Sequence, residues 1–467
     1  MKKMIVSMAL VAASFVFAPF AGAAVNPTVQ YVQRTMKKLE FSTAERPAEV
    51  RVLFYGQSIT DQLWYRETMD ILRHRYPTVK FEVENRAIPG FFSPLLIRTA
   101  ESDLYPFYAD IVFFNDYGDI GLVRKMIERL RERTTAEVVL WTSHIRRADD
   151  LAVIRRGEDP RSQELFKIAA DNHCMIVDLQ RKWLAMLDRE GRKPDYFLSD
   201  GVHMKGDPVV GSLRRYGEFI AEDLVYLPDS AADPMAGLIT EHRFFPNVTE
   251  AWQTRTNRVD FAFEGNRVEA VFTDERLFWK ASPTKVLLDG KEMRTMPELI
   301  YHDRASSIVS WMPMVLHVGA KTLPVEEEWT LTFLEGTQQE GKPVIYRVDG
   351  SVTGFDGIGT NTTDFVSRSG RVTIAADDFH TWQFDYFGVK DKQPHLLARP
   401  GQWTFWRTRK SYTDRLGSFH LPNERVVLVS GCSNGKHVLT FLSAVPGRLP
   451  QIDHLTVYRP YGRSLVK

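Results

Sequence analysis

Between residues 49 and 228, short apolar, β-branched runs alternate with amphipathic stretches, and few architectures accept that alternation. Val50–Tyr55, Lys80–Glu84, Ile111–Phe114, Glu137–Trp141 and Met175–Asp178 have the length and composition of strands. Helical patterns fall between and after them, at roughly 61–76, 120–133, 161–172 and 211–225. In the last, Leu213, Tyr216, Ile220 and Leu224 recur at helical spacing. Strands apolar on both faces need cover on both faces, so the pattern predicts an α/β fold of three layers around a parallel sheet. Ligands of such sheets gather at the carboxyl ends of the strands. Ser58 follows the first strand, Gly90 the second and Asn115 the third, so all three are expected at one crevice.

The texture changes after Leu227-Pro228. At 467 residues the chain is too long for one ordinary core, and residues 229–239, rich in Asp, Ala and Pro at their start, read as a linker. From 240 to 467 short alternating strands replace the helices. Examples are Val259–Phe263, Arg267–Phe272, Val286–Leu288, Trp329–Phe333, Arg371–Ala375, His437–Leu442 and Leu455–Tyr458. Asp356-Gly357 and Ser433-Asn434-Gly435 read as turns between strands. The expectation is an all-β, jelly-roll-like sandwich region, either one large domain or two small ones.

The first 23 residues read as a secretory signal: Lys2 and Lys3, an apolar run over Met4–Phe17, then Ala21-Gly22-Ala23 as a cleavage site. The run is short for a membrane span, so a secreted or periplasmic protein without stable membrane insertion is expected. Residues 24–48 are then an N-terminal extension. Cleavage removes two lysines and takes the formal charge from +1 to −1. With 60 basic against 59 acidic residues there is no basic field to hold nucleic acid. Aromatic residues, 12% of the chain, suit β-rich cores and sugar platforms alike. Cys174 and Cys432 fall in different expected domains and make no disulfide framework; Cys174, in an apolar run, reads as a small buried hydrophobe. No Cys/His cluster has metal-ligand spacing, so no metal is expected.

Chemistry concentrates in two stretches, Gly56-Gln57-Ser58 and Asp200-Gly201-Val202-His203. A serine hydroxyl is a poor nucleophile until a base takes its proton, and His203 is of the type to do so. Asp200, three residues earlier, can sit on the same turn and hold the imidazole in one tautomer. With Gly90 and Asn115-Asp116 in between, these motifs have the order and spacing of the SGNH (GDSL-type) serine hydrolases, which residues 49–228 resemble. The resemblance implies an SGNH-like fold, Ser58 as nucleophile, His203 as base and Asp200 as its partner. It also implies an oxyanion hole from the Ser58 amide, Gly90 and the Asn115 side chain, and chemistry without a cofactor. The family usually has Asp where Gln57 stands, but some of its carbohydrate O-acetyl esterases carry Gly-Gln-Ser. It usually has Gly where Phe113 stands, two residues before Asn115.

The implied substrate is an acylated polysaccharide or other glycan, with O-acetyl the leading ester. A glycan acyltransferase, a lipase or thioesterase, and a non-catalytic glycan-binding protein remain open readings, as does the oligomeric state. Other residues carry less. His144, after the fourth strand, reads as a surface-loop residue rather than crevice lining, and Arg146 and Arg147 as a solvated pair. Thr60 and Asp61 read as helix caps, and Asp116 as support for Asn115 or the start of a loop. Trp64, Tyr65, Phe91 and Phe92 could equally wall a pocket or fill a core.

Overall fold

The computed structural model describes residues 25–228, 235–243, 252–255, 257–272, 282–307, 313–335, 343–380, 382–383, 395–396, 400–418, 420–446, 448 and 451–462. The expected signal segment and residues 229–234 of the expected linker lie outside the described residues. No helix among the described residues is long and apolar enough to cross a membrane.

Five parallel strands, β1 (Glu49–Gly56), β2 (Lys80–Asn85), β3 (Ile111–Asn115), β4 (Glu137–Trp141) and β5 (Met175–Val177), form one sheet in the order β2-β1-β3-β4-β5. The order reverses between β1 and β3, so the connections leave those two strands to opposite sides and open a crevice at their carboxyl ends. Successive side chains point to opposite faces. Val52, Phe54 and Phe113 join one apolar core; Leu53, Tyr55, Val112 and Phe114 join the other. Among the described residues, nine helices cover these faces. On the first side lie α1 (Gln33–Glu40), α3 (Trp64–Arg75), α8 (Leu179–Glu190) and α9 (Ser212–Glu222); on the second lie α4 (Ser93–Asp103), α5 (Ile120–Arg133) and α7 (Pro160–Asp171). Short α2 (Ser58–Asp61) and α6 (Leu151–Arg155) complete the set. This is the three-layer α/β fold that the sequence pattern predicts.

Two long helices have no counterpart in the sequence reading. Helix α8 begins where a strand was expected to end. The Asp178 carboxylate accepts the Arg181 N–H at 3.1 Å and so caps the helix instead of extending β5. Helix α4 opens on Ser93-Pro94, with proline in its first turn, where its missing N–H costs nothing. Residues 27–40, set apart in sequence as an extension, pack Val29, Val32, Met36 and Leu39 into the first core. The buried Glu137 carboxylate fixes them by accepting the backbone N–H of Arg34 (2.9 Å) and Thr35 (2.8 Å).

Among the described residues from 239 onward the strands pair antiparallel, with a seven-stranded and a six-stranded sheet that each have their own apolar core. Two expected turns prove to lie within strands. Asp356-Gly357 is inside Gly354–Thr360, and Ser433-Asn434-Gly435 is a register irregularity inside Arg425–Ser443. Opposite the latter, Gly265 lies so close to strand Ile452–Tyr458 that a Cβ would sit 2.3 Å from the Tyr458 carbonyl oxygen. The ribbon bends there rather than ending.

The β-rich part is docked on the α/β unit by polar and apolar contacts. Tyr108 Oη donates to Asn266 Oδ1 at 2.7 Å, and the buried Arg267 guanidinium lies over the Tyr108 ring. Leu316 joins the second α/β core, and Arg98 pairs with the buried Asp378. Arg304 pairs with the buried Asp103 at 3.2 Å. Burial pushes the Asp103 carboxyl up to about 6, against the pull of Arg304 and Arg86. The folded protein therefore keeps this proton to about pH 6, whereas the unfolded chain releases it near the ordinary 3.8, so this group weakens folding as pH rises across that interval. Replacing Arg304 by Ala leaves the carboxyl without its main partner. Because Arg304 is itself partly solvated, the expected loss is about 1–3 kcal/mol, less than for a fully buried pair. Thermal unfolding at pH 7 measures it, and an unchanged melting temperature would contradict it.

Candidate active site

The crevice is built where β1 and β3 end side by side. Gly56 is level with Asn115, and an ideal Cβ on Gly56 would lie 2.3 Å from the Asn115 carbonyl oxygen, so only glycine lets the strand ends close. The chain passes directly into α2. Gln57 keeps an extended backbone, and its Oε1 accepts the Ile59 N–H at 3.0 Å, capping that helix. Thr60 and Asp61, expected as caps, are not; they fall in the second half of a four-residue helix already capped by Gln57. Ser58 is thus the first helical residue, where backbone N–H groups have no acceptor within the helix.

The loop after β2 is tied to this turn. Asn85 Nδ2 donates to the Thr60 carbonyl at 2.9 Å, and the Ile88 N–H donates to the Gly56 carbonyl at 3.0 Å. Gly90 follows with a left-handed φ of 81°, which turns the chain back into α4.

The third part is an excursion between Leu198 and Met204, which bridge to each other and are both buried in the first core. Gly201, at φ 79°, makes the turn. Asp200 Oδ1 accepts the backbone N–H of Val202 (3.0 Å) and of His203 (2.8 Å). Asp200 Oδ2 lies 2.7 Å from His203 Nδ1, and His203 Nε2 lies 2.9 Å from Ser58 Oγ. A carboxylate only accepts, so the ring carries its proton on Nδ1 and offers the Nε2 lone pair to Ser58. Desolvation works against ionisation of Asp200, but the hydrogen bonds from the His203 N–H, its ring and the Val202 N–H outweigh it. They hold the carboxyl at about 2. Ser58 Oγ is also 2.9 Å from Gln57 Oε1, so its single proton has two possible acceptors.

No family model and no curated relative matches the chain. Among solved structures, the acetylxylan esterase Axe2 from Geobacillus stearothermophilus is similar at 17% identity, over 39% of this chain and 96% of its own, with a TM-score of 0.34. A two-domain esterase, CEX, active on acetylated mannans is similar at 11% identity, over 93% of this chain and 96% of its own, with a TM-score of 0.34. Likeness at this level carries nothing about what this chain cleaves.

Around the crevice the other residues divide clearly. Asn115 is buried, and its Nδ2 donates to the Trp141 carbonyl at 2.8 Å; this takes one of its two amide hydrogens. Phe113 is fully buried and stacks on Phe54 at 4.6 Å, so the departure from glycine there fills the core instead of the crevice. Asp116 accepts the Gly118 N–H at 3.1 Å, and burial raises its carboxyl. Trp64 and Phe91 are core residues, Tyr65 packs against Phe54, and Phe92 is exposed. His380, from the β-rich part, meets the Phe91 ring edge-on at 5.3 Å. Arg146 is exposed over Tyr117, and exposed Arg147 pairs with Asp150.

His144 corrects the sequence reading. It is only 2% exposed, and its Nε2 lies 2.8 Å from the Val202 carbonyl. Rings from α8 and α9, Trp183 at 5.6 Å and Tyr216 at 5.9 Å, cover it. Gln62 is a second residue of this kind, with no signal in its local sequence. Its Nε2 donates to the Met204 carbonyl (3.0 Å) and its Oε1 accepts the Met204 N–H (3.1 Å). Its partner is backbone 142 residues away.

Proposed function

We propose that the protein is an exported serine esterase that removes O-acyl groups, O-acetyl foremost, from a carbohydrate. The observation that carries this reading is the continuous chain Ser58 Oγ–His203 Nε2 (2.9 Å) and His203 Nδ1–Asp200 Oδ2 (2.7 Å) at the carboxyl end of a parallel sheet. Ser58 Oγ attacks the ester carbonyl carbon while its proton passes to His203 Nε2, and the Asp200 carboxylate stabilises the resulting imidazolium. The negative oxygen of the tetrahedral intermediate is met by the Ser58 N–H, the Gly90 N–H and the second Asn115 Nδ2 hydrogen. Collapse breaks the bond to the sugar oxygen, which takes the proton from His203 and leaves an acyl group on Ser58. Water then attacks the acyl carbon, giving its proton to His203; the acid departs and the proton returns to Ser58 Oγ.

The carbohydrate part of the reading is supported by Gly56-Gln57-Ser58, the form that some carbohydrate O-acetyl esterases of the SGNH clan carry. Export is supported by Lys2, Lys3, the Met4–Phe17 run and Ala21-Gly22-Ala23. A fluorophosphonate probe tests the mechanism: peptide mapping should find the adduct on Ser58, and heat-unfolded protein should not react. Acetate release from acetylated mannan and xylan, with and without an acceptor sugar, separates hydrolysis from transfer. A protein that neither takes the probe nor releases acetate is not an esterase.

A further inference from the structure

We propose that Gln62 and His144 act jointly as positioning residues for His203, clamping the backbone on either side of it. The inference rests on the esterase reading and adds two residues which that mechanism leaves idle.

The base sits on an excursion whose own sequence, Asp200-Gly201-Val202-His203, has a glycine in its middle and an exposed carboxylate at its start. Asp200 bonds the loop to itself; it does not bond the loop to Ser58 or to the sheet. Two side chains from elsewhere do. Gln62 stands four residues beyond Ser58, at the end of α2, and grips both the N–H and the carbonyl of Met204. Nucleophile and base are 145 residues apart in the chain, yet this grip joins the helix of one directly to the neighbour of the other. His144 extends from the end of β4 and holds the carbonyl of Val202, the residue on the other side. The peptides before and after His203 are therefore fixed to the end of β4 and to α2, respectively.

The chemistry of His144 suits a fixed strut. A carbonyl only accepts, so Nε2 keeps its hydrogen, and burial drives the ring's pKa down to about 4, leaving it neutral. A neutral ring adds no charge to oppose the imidazolium that forms on His203. Neither Gln62 nor His144 is hydrogen-bonded to Ser58 Oγ, so both act through position alone. A displacement of about 1 Å in a reacting group can cost on the order of 100-fold in rate.

The test compares Gln62→Met, His144→Phe, the double variant and His144→Gln, with 4-nitrophenyl acetate as substrate and Ser58→Ala as the blank. Each of the first two should lower kcat by roughly 10- to 100-fold at little change in KM. The double variant should lose no more than about the larger single loss, because both residues hold one loop conformation. His144→Gln, whose amide N–H can reach the same carbonyl, should recover most of kcat. Melting curves identify any variant that fails to fold, and if His144→Phe does so, Gln62→Met and His144→Gln decide. Folded variants with wild-type kcat, a loss confined to KM, independent losses that multiply in the double variant, or no recovery by Gln would each overturn the clamp. If wild-type turnover survives in Ser58→Ala, the esterase reading itself fails. If Ser58→Ala is inactive and the clamp variants are unaffected, only the clamp fails.

Discussion

Replacing Ser58 by Ala is expected to lower turnover of an acetyl ester by about a million-fold while leaving the fold intact. The first half follows from the mechanism: without Oγ there is no acyl-enzyme, and only the oxyanion donors and substrate binding remain to speed direct attack by water. The second half follows from the site. Ser58 is partly exposed at the start of a helix, and its hydroxyl bonds only to Gln57 and His203. Its removal opens no buried cavity, and alanine is at least as good a helix former. Initial rates with a generic acetyl ester, set beside a melting curve, measure both halves. A variant that keeps more than about a thousandth of the wild-type rate would show that the acyl group never resides on Ser58.

Asp200→Asn should cost nearly as much, about ten-thousand-fold at neutral pH. Asp200 Oδ1 already accepts two backbone N–H groups, so an asparagine keeps its oxygen there and turns its NH2 toward His203 Nδ1. The ring must then accept at Nδ1 and carry its proton on Nε2, where it can no longer take one from Ser58. Burial is not the issue, for the Asp200 side chain is 51% exposed; the loss is one of tautomer. The carboxylate has a second effect that the amide cannot reproduce. Its folded-state value, about 2, is below the ordinary 3.8, so it supports the folded loop above pH 3.8 and loses that support as pH falls toward 2. In Asp200→Asn the acid sensitivity of the loop over that interval should vanish. Rates and proteolysis of the loop between pH 2 and 5 measure it, and an unchanged rate at pH 7 would refute the tautomer argument.

What the sequence revealed was whatever depends on periodicity and order. Strands buried on both faces, such as Ile111–Asn115, must be continuous apolar runs, and residues just past their ends must share one edge of a parallel sheet. Ser58, Asn115 and the Gly90 loop were legible for that reason. Residues whose environment is made by distant segments were not. His144 looked like a loop histidine because nothing near it in sequence shows that Trp183 and Tyr216 will close over it. Gln62 bonds to backbone, which leaves no trace in the identity of its partner. Asp178 is equally at home ending a strand or capping a helix, and only its bond to the Arg181 N–H decides. Asp356-Gly357 has the composition of a turn, but it lies at an irregularity in the pairing with strand Ile345–Gly350, which continues on both sides of it.

Leu316 and Asp103 bear on how such a chain can be rearranged. Leu316 comes from the β-rich part but belongs to a core of the α/β unit, and Asp103 comes from the α/β unit but has its guanidinium partner in the β-rich part. The change of sequence texture after Pro228 is thus not a break in the packing. A recombination event that moved residues 49–228 onto another partner would carry along an empty apolar socket and a buried carboxyl stripped of its counter-ion. The two parts can be inherited together far more easily than they can be traded, and the α/β unit is no portable cassette.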